Sequence, residues 1–276
     1  MLHHSENKTT VCNGQSIATV ICDTYNEELK SSITTLELVY PRYIHSELMT
    51  HRMFSRNASS SRATPLTVTL EEVKNDPVFF DYVGKNQSGM VAGEALKPEE
   101  VEAFREEWET LAYQVASRVE YMSERFGIHK QTLNRALEPF LRIRTLVTAT
   151  EWNNFFTLRL APDAQPEIRM LAEAMRAAMD KSKPNLGEYH LPYIEDYNPN
   201  SADDWGKYRK ISVARCARVS YGRLDGKANS KEEDLALFDR LRAGGHLSPF
   251  EHIAYALNGK HANFNGWLSL RGLLTK

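Results

Sequence analysis

Apolar residues recur along this chain in two different periods, and the changes of period mark its elements. Residues 17–23 (Ile-Ala-Thr-Val-Ile-Cys-Asp) and 33–40 (Ile-Thr-Thr-Leu-Glu-Leu-Val-Tyr) are β-branched and partly alternating. They predict two strands, with residues 26–32 as the polar turn and Pro41 closing the second. Residues 43–51 suit a short helix. Residues 52–65, rich in Ser, Arg, Asn and Ala and ending at Pro65, read as a loop. Val101, Phe104, Trp108, Leu111, Val115, Val119 and Met122 repeat at spacings of three and four, which predicts a helix over 98–126 with Gly127 as its stop. Further helices are expected over 130–137, halted by Pro139, and over 166–180, with Ile168, Leu171, Met175 and Met179 on one side. Residues 145–150 are β-like. The stretch 182–206, rich in Pro, Asn, Asp and Tyr, is the best linker candidate. Ser230-Lys231-Glu232-Glu233 is a capping box opening a helix through Leu235, Phe238 and Leu241, which Gly244-Gly245 ends.

Composition narrows the class. With 276 residues, 42% hydrophobic and 25% charged, the chain can fill a globular core. A net charge of −2 argues against a surface that is wholly a nucleic-acid footprint. The balance conceals opposed patches. Seven Glu face only Lys97 and Arg105 over 94–109, whereas Lys207, Arg209, Lys210, Arg215, Arg218 and Arg223 meet no acid over 205–224. Cys12, Cys22 and Cys216 are odd in number and hold no C-x-x-C pair, so neither a disulfide framework nor a four-Cys zinc site is indicated. Idle thiols in a reducing compartment are the expectation. No apolar run is long enough to span a bilayer, and Met1 to Glu6 carries no apolar signal core. A soluble, cytoplasmic protein is predicted, without membrane or nucleic-acid partners.

Nucleotide and metal motifs are missing from the sequence: there is no G-x-G-x-x-G, no P-loop and no H-E-x-x-H, and the nine histidines are scattered, so no metal is expected. Three constellations remain. His51-Arg52-Met53-Phe54-Ser55-Arg56-Asn57-Ala58-Ser59-Ser60-Ser61-Arg62 joins planar guanidinium forks to hydroxyls without an acid, which suits a phosphate or carboxylate. An RNA-binding Ser/Arg loop is the rival, although aromatics for base stacking are not interleaved. His246-Leu247-Ser248-Pro249-Phe250-Glu251-His252 follows a helix stop and could bind a polar ligand, or be a capped surface turn. Trp152-Asn153-Asn154-Phe155-Phe156-Thr157-Leu158-Arg159 reads by itself as core packing ending in an Arg.

Taken together, the three resemble one family. His51-Arg52-x-x-Ser55-x-Asn57-x-x-Ser60-x-Arg62 is similar to the R-H-R-x-x-S-x-N-E-x-S-x-R signature of flavin-dependent thymidylate synthases, the thymidylate synthase complementing proteins. Ala217-Arg218-Val219-Ser220-Tyr221 with His246 to His252 looks like a second block of that family, and Trp152 to Arg159 with Asp163-Ala164-Gln165-Pro166-Glu167-Ile168 like a third. The second block comes first in the common arrangement and last here, so the sequence looks like a circular permutant, akin to phage-type members.

The resemblance implies an α+β fold: a mixed or antiparallel sheet flanked by long helices in a single domain over 1–276. It implies reductive methylation of dUMP at carbon 5, with the one-carbon unit from methylenetetrahydrofolate and the hydride through FAD, recharged by NADPH. It further implies a homotetramer with active sites shared between subunits. Ser60 and Arg62 would hold the dUMP phosphate, with Arg135 assisting from another subunit. Arg159 would contact the uracil carbonyl and stabilise developing charge, the catalytic role. His51, Arg52, Asn57, Asn154, Ser220, Ser248 and Glu251 would line the flavin, and His246 would sit near folate and the flavin ring. Thr50 replaces the first Arg of the triplet and Ala58 the usual Glu, while Glu47 stands where Gln is common and Asp163 where His is common. A pocket so altered leaves two alternatives: a pyrimidine nucleotide hydroxymethylase, or a non-catalytic nucleotide- or RNA-binding homologue.

Overall fold

The computed structural model describes residues 9–197, 204–220 and 230–275. In chain order its strands are β1 (Thr10–Asn13), β2 (Ser16–Asn26), β3 (Ser31–Pro41), β4 (Ser55–Ala58), β5 (Arg142–Ala149), β6 (Asn185–Leu186), β7 (Tyr189–His190), β8 (Ala254–His261) and β9 (Phe264–Ser269). Its helices are α1 (His45–Met49), α2 (Leu66–Asn75), α3 (Pro98–Phe126), α4 (Lys130–Leu137), α5 (Asn153–Arg159), α6 (Pro166–Lys181), α7 (Asp204–Ala217), α8 (Lys231–Ala243) and α9 (Leu270–Leu274). The main sheet has the order β1-β2-β3-β5-β4, antiparallel at each pairing, and β6 runs parallel beside β2. β7, β8 and β9 form a small antiparallel sheet. The predicted mixed sheet with flanking helices is therefore present.

Strand alternation gives the sheet two apolar faces. Ala18, Val20, Leu36, Leu38, Val147 and Ala149 pack on one side against Ile168, Leu171, Ala172 and Met175 of α6 and Phe155 and Phe156 of α5. On the other side Leu146 meets Ile211 and Val213 of α7, and Ile33 meets Phe264 and Trp267 of β9. A third cluster joins α2, α3 and α4 through Leu70, Val73, Ala112, Val119, Leu133 and Leu137. Because period 2 puts residues an even number apart on one face, Val20 and Thr24 should point the same way. A bulge between Val20 and Cys22 shifts the β2 register by one, so Val20 joins the α6 face while Thr24 turns to the other.

The strand pair, α3, α4, α6 and the capping-box helix lie where periodicity puts them, with ends differing by a few residues. Ser230 Oγ accepts from Glu233 N at 3.1 Å and Glu233 Oε2 from Ser230 N at 3.0 Å, which closes the predicted box. The segment read as a loop differs: it contains β4, whose backbone groups are satisfied by β5 with Ser55 opposite Thr148 and Ala58 opposite Thr145. Nor is the linker candidate plain connection. Of its described residues, 185–186 and 189–190 are strand, and His190 and Leu191 are buried. Tyr221 and Arg223 of the basic stretch lie outside the described residues. Among the described residues no helix is long and apolar enough to cross a membrane.

Candidate active site

His51 follows the end of α1, 7% exposed, with Phe155 edge-on at 4.8 Å and Phe54 at 5.8 Å between ring centroids. Arg56 braces the turn from behind, donating to the Met49 carbonyl at 2.6 Å and the His51 carbonyl at 3.2 Å. Arg159, last residue of α5, donates its Nε–H to His51 Nε2 at 2.8 Å. Its terminal nitrogen donates to Thr50 Oγ1 at 3.2 Å and the Glu47 carbonyl at 3.4 Å. The Thr50 hydroxyl spends its own proton on the Glu47 carbonyl at 2.7 Å, leaving lone pairs for Arg159. Burial first, then the Arg159 and Arg56 charges, push the His51 pKa down to about 4. His51 is therefore neutral, carries its proton on Nδ1 and accepts from Arg159.

A pocket of about 550 Å³ opens beside His51, which is part of its lining. Phe54, Trp152, Phe155 and Phe156 wall it, Asn154 lines it, and Arg176 and Asp180 of α6 stand at it too. The Arg176 guanidinium lies 4.1 Å over the Phe156 ring. The aromatic-rich 152–159 segment, expected in the core, is divided: Phe155 and Phe156 of α5 are buried, whereas Asn153 and Asn154 face out. Neither Arg176 nor Asp180 stands out in the sequence, because both sit on an ordinary exposed helix face.

A second group forms on the opposite side of β4. Asn57 donates to the Cys216 carbonyl at the end of α7 at 2.8 Å, and its Oδ1 accepts from Ser220 Oγ at 2.9 Å. Ser220 Oγ also lies 2.7 Å from the Ala58 carbonyl. The Ser248–Glu251 helical turn packs on β4. Its Glu251 carboxylate pairs with Arg271, while Ser248 and His246 are exposed. Asn57 and Glu251 thus use their side chains within the chain, which makes them fasteners of the loop and the turn.

The third group is the Ser/Arg loop. Ser61 Oγ donates to Glu138 Oε1 at 2.7 Å, and that oxygen also takes Arg135 at 3.0 Å and Arg42 at 3.1 Å. Buried Asn134 donates to the Ser61 and Thr64 carbonyls at 2.7 and 3.1 Å. Arg135 therefore stands beside the 60–62 loop of its own chain. Ser60 is half-buried and Arg62 exposed. Among the described residues the Arg52, Arg62, Asn154, His246 and Ser248 side chains are not drawn into internal hydrogen bonds, and no group of His, Cys, Asp and Glu is placed to hold a metal ion. Two junctions, His51 with Arg159 and Asn57 with Ser220, join the three sequence blocks within one chain.

The family described as "Thymidylate synthase complementing protein" matches residues 4–185, about two thirds of the chain. The match takes in the His-Arg signature and the Trp152 block, and ends before Ser220 and the 246–252 turn. A UMP/dUMP methylase, PolB, from Streptomyces cacaoi, solved with 5-Br UMP, is similar at 14% identity over 60% of this chain and 89% of that one, with a TM-score of 0.48. The flavin-dependent thymidylate synthase ThyX from Helicobacter pylori, solved with FAD and dUMP, is similar at 20% identity over 53% and 67%, with a TM-score of 0.39. No curated protein sequence matches. The structural likenesses are too distant to carry the assignment; the family match over residues 4–185 makes it, and this chain belongs to the thymidylate synthase complementing protein family of flavin-dependent, thymidylate synthase-like enzymes.

Proposed function

We propose that this enzyme transfers a one-carbon unit from methylenetetrahydrofolate to carbon 5 of dUMP and reduces it to the methyl of dTMP, with FAD as cofactor and NADPH as reductant. The observation that carries this reading is an aromatic pocket of about 550 Å³ lined by a neutral His51, whose Nε2 in turn holds the fixed charge of Arg159. The aromatic walls of the pocket suit a flat conjugated ring, and Arg176 is the cation of its lining. Flavin, when bound, supplies the hydride; the chain's own residues bind, orient and polarise. Arg159 stabilises charge developing on the uracil carbonyl. Ser60 and Arg62 take the phosphate, with Arg135 beside them. His51, Arg52, Asn57, Asn154, Ser220, Ser248 and Glu251 shape the flavin site, and His246 the folate side. A homotetramer completes the sites; exposed Tyr113 and Tyr121, eight residues apart and so on one side of α3, support an aromatic contact surface. The permuted order is supported by the Asn57–Ser220 bonds, which seat the C-terminal block on the signature it precedes in other members. A cytoplasmic location accords with three free thiols.

Mass spectrometry of the product from dUMP, methylenetetrahydrofolate and NADPH tests the reaction. The expected product is dTMP; a product heavier by one oxygen establishes the hydroxymethylase instead, and no product leaves a nucleotide-binding homologue. Arg62→Ala is expected to weaken dUMP binding by about 1.5–3 kcal/mol, the range for a hydrogen bond to a charged group. Unchanged affinity in a calorimetric titration removes Arg62 from the phosphate site.

A further inference from the structure

Next to the Ser248–Glu251 turn lies a row of polar side chains with no packing reason to be inside. His190, Thr35, Thr148 and His252 are fully buried and Thr24 nearly so. They touch end to end. Thr24 Oγ1 is 2.8 Å from His190 Nδ1, and His190 Nε2 is 2.7 Å from Thr35 Oγ1. Thr35 Oγ1 is 2.6 Å from Thr148 Oγ1, which is 2.8 Å from His252 Nδ1. Cys22 Sγ lies 3.7 Å beyond Thr24. At the other end, His252 Nε2 is buried and has no partner among the described residues. The row crosses β2, β3 and β5, and the β2 bulge is what turns Thr24 toward it.

Each hydroxyl has one proton to give, and each neutral imidazole has one N–H and one lone pair. Burial holds both imidazoles neutral, with pKa values pushed down to about 3. Thr35 and Thr148 meet no other partner among the described residues, and if each spends its buried proton on the row, the four bonds in series can be filled in only two ways. In one, His252 Nδ1–H donates to Thr148, Thr148 to Thr35, Thr35 to His190 Nε2, and His190 Nδ1–H to Thr24. In the other every bond is reversed and both protons sit on Nε2. Nδ1–H on His190 with Nε2–H on His252 leaves two acceptors facing each other, and the reverse mixture makes Thr35 or Thr148 accept twice and strands its buried proton without an acceptor. We propose that these five residues form a one-way hydrogen-bond wire through the sheet, which locks His190 and His252 into the same tautomer and makes Thr148 and His252 positioning residues for the turn that carries Ser248 and Glu251. The unpartnered end selects the first arrangement. It leaves a lone pair on His252 Nε2, and buried orphan N–H groups are rarer than under-satisfied acceptors among backbone groups. Only the positioning half rests on the flavin reading; the wire does not.

Ring ¹⁵N NMR of the histidine-labelled full chain reads the tautomers directly, with His190→Asn used for assignment. Both rings are expected as Nδ1–H. Both as Nε2–H still supports the wire, in the reverse polarity, whereas one of each overturns it. Thr24→Val removes the partner of His190 Nδ1 and so puts an orphan at each end of the row. Both histidines are then expected to shift together, although His252 does not touch Thr24. Adding Thr35→Val cuts the row and should return His252 to its original shifts. Movement of His190 alone in Thr24→Val overturns the coupling; Thr24→Ser should keep the native spectrum and guards against a misfolded variant. For the positioning half, Thr148→Val should lose bound flavin several-fold faster than Thr148→Ser, and equal retention overturns that half while the tautomer result stands separately.

Discussion

A guanidinium 2.8 Å from a buried imidazole is tolerable only while the imidazole stays uncharged, and this fixes what His51 and Arg159 do for one another. His51 supplies a lone pair that pins Arg159 Nε, and Arg159 in turn helps keep the His51 pKa down at about 4. Arg159→Ala is therefore expected to raise the His51 pKa toward the ordinary histidine range, read by an NMR titration; a pKa that stays near 4 shows that burial alone sets it. In the same variant turnover should fall about 100-fold or more, as for removal of one preorganised donor, with flavin content largely kept. Full turnover sinks the uracil assignment. Arg159→Lys is expected to rescue little, because a point charge cannot reach His51, Thr50 and the Glu47 carbonyl as the planar fork does. The resemblance pointed to both residues, but nothing in the sequence states that they meet 108 positions apart. Thr50 is legible in the sequence only as a missing Arg, yet its hydroxyl accepts from Arg159.

Among elements, α7 and α8 show how a charge run loses its apparent meaning in the fold. The acid-free stretch after 205 looks like an anion-binding face, but Asp234 of α8, fully buried, takes Arg215 Nε and Arg218 Nε at 3.0 Å each. Arg215 also reaches the Tyr193 carbonyl at 2.7 Å. These pairs clasp the end of α7, from which Ser220 bonds Asn57. Asp234→Ala leaves two partly buried cations unpaired and is expected to destabilise by about 3 kcal/mol, the low end for a broken buried pair because both arginines keep some exposure. Equilibrium denaturation measures it, and a loss under about 1 kcal/mol shows that the clasp is screened as a surface pair would be. Long elements such as α3 were legible because their apolar stripe is set by their own sequence. β4 was not: four residues gain their structure from β5, and Ser-Arg-Asn-Ala carries no strand pattern. The β2 bulge was equally silent, since one extra residue in an alternating run leaves the composition unchanged.

On the scale of the molecule, the buried histidines tie the whole fold to pH. Unfolded histidine takes its proton near 6.5, whereas His190 and His252 hold theirs off until about 3. Above pH 6.5 neither state is protonated and the stability is fully present. As pH falls below 6.5 the unfolded chain binds protons that the folded chain refuses, so stability drops, and the loss from these two groups stops only below about 3. From pH 7 to pH 5 the difference is worth about 2 kcal/mol for each histidine. His190 joins the 189–190 strand to the main sheet through Thr24 and Thr35, and His252 joins the 248–251 turn through Thr148, so neither can charge without parting two layers. Urea unfolding of the native chain at pH 7 and pH 5 should show the decline. Comparison with His190→Asn isolates one share of it: the variant begins less stable at pH 7 but should lose about 2 kcal/mol less than the native chain on acidification. An identical decline in both proteins shows that His190 accepts a proton in the folded state, and with that proton the one-way filling of its row of hydrogen bonds would be gone.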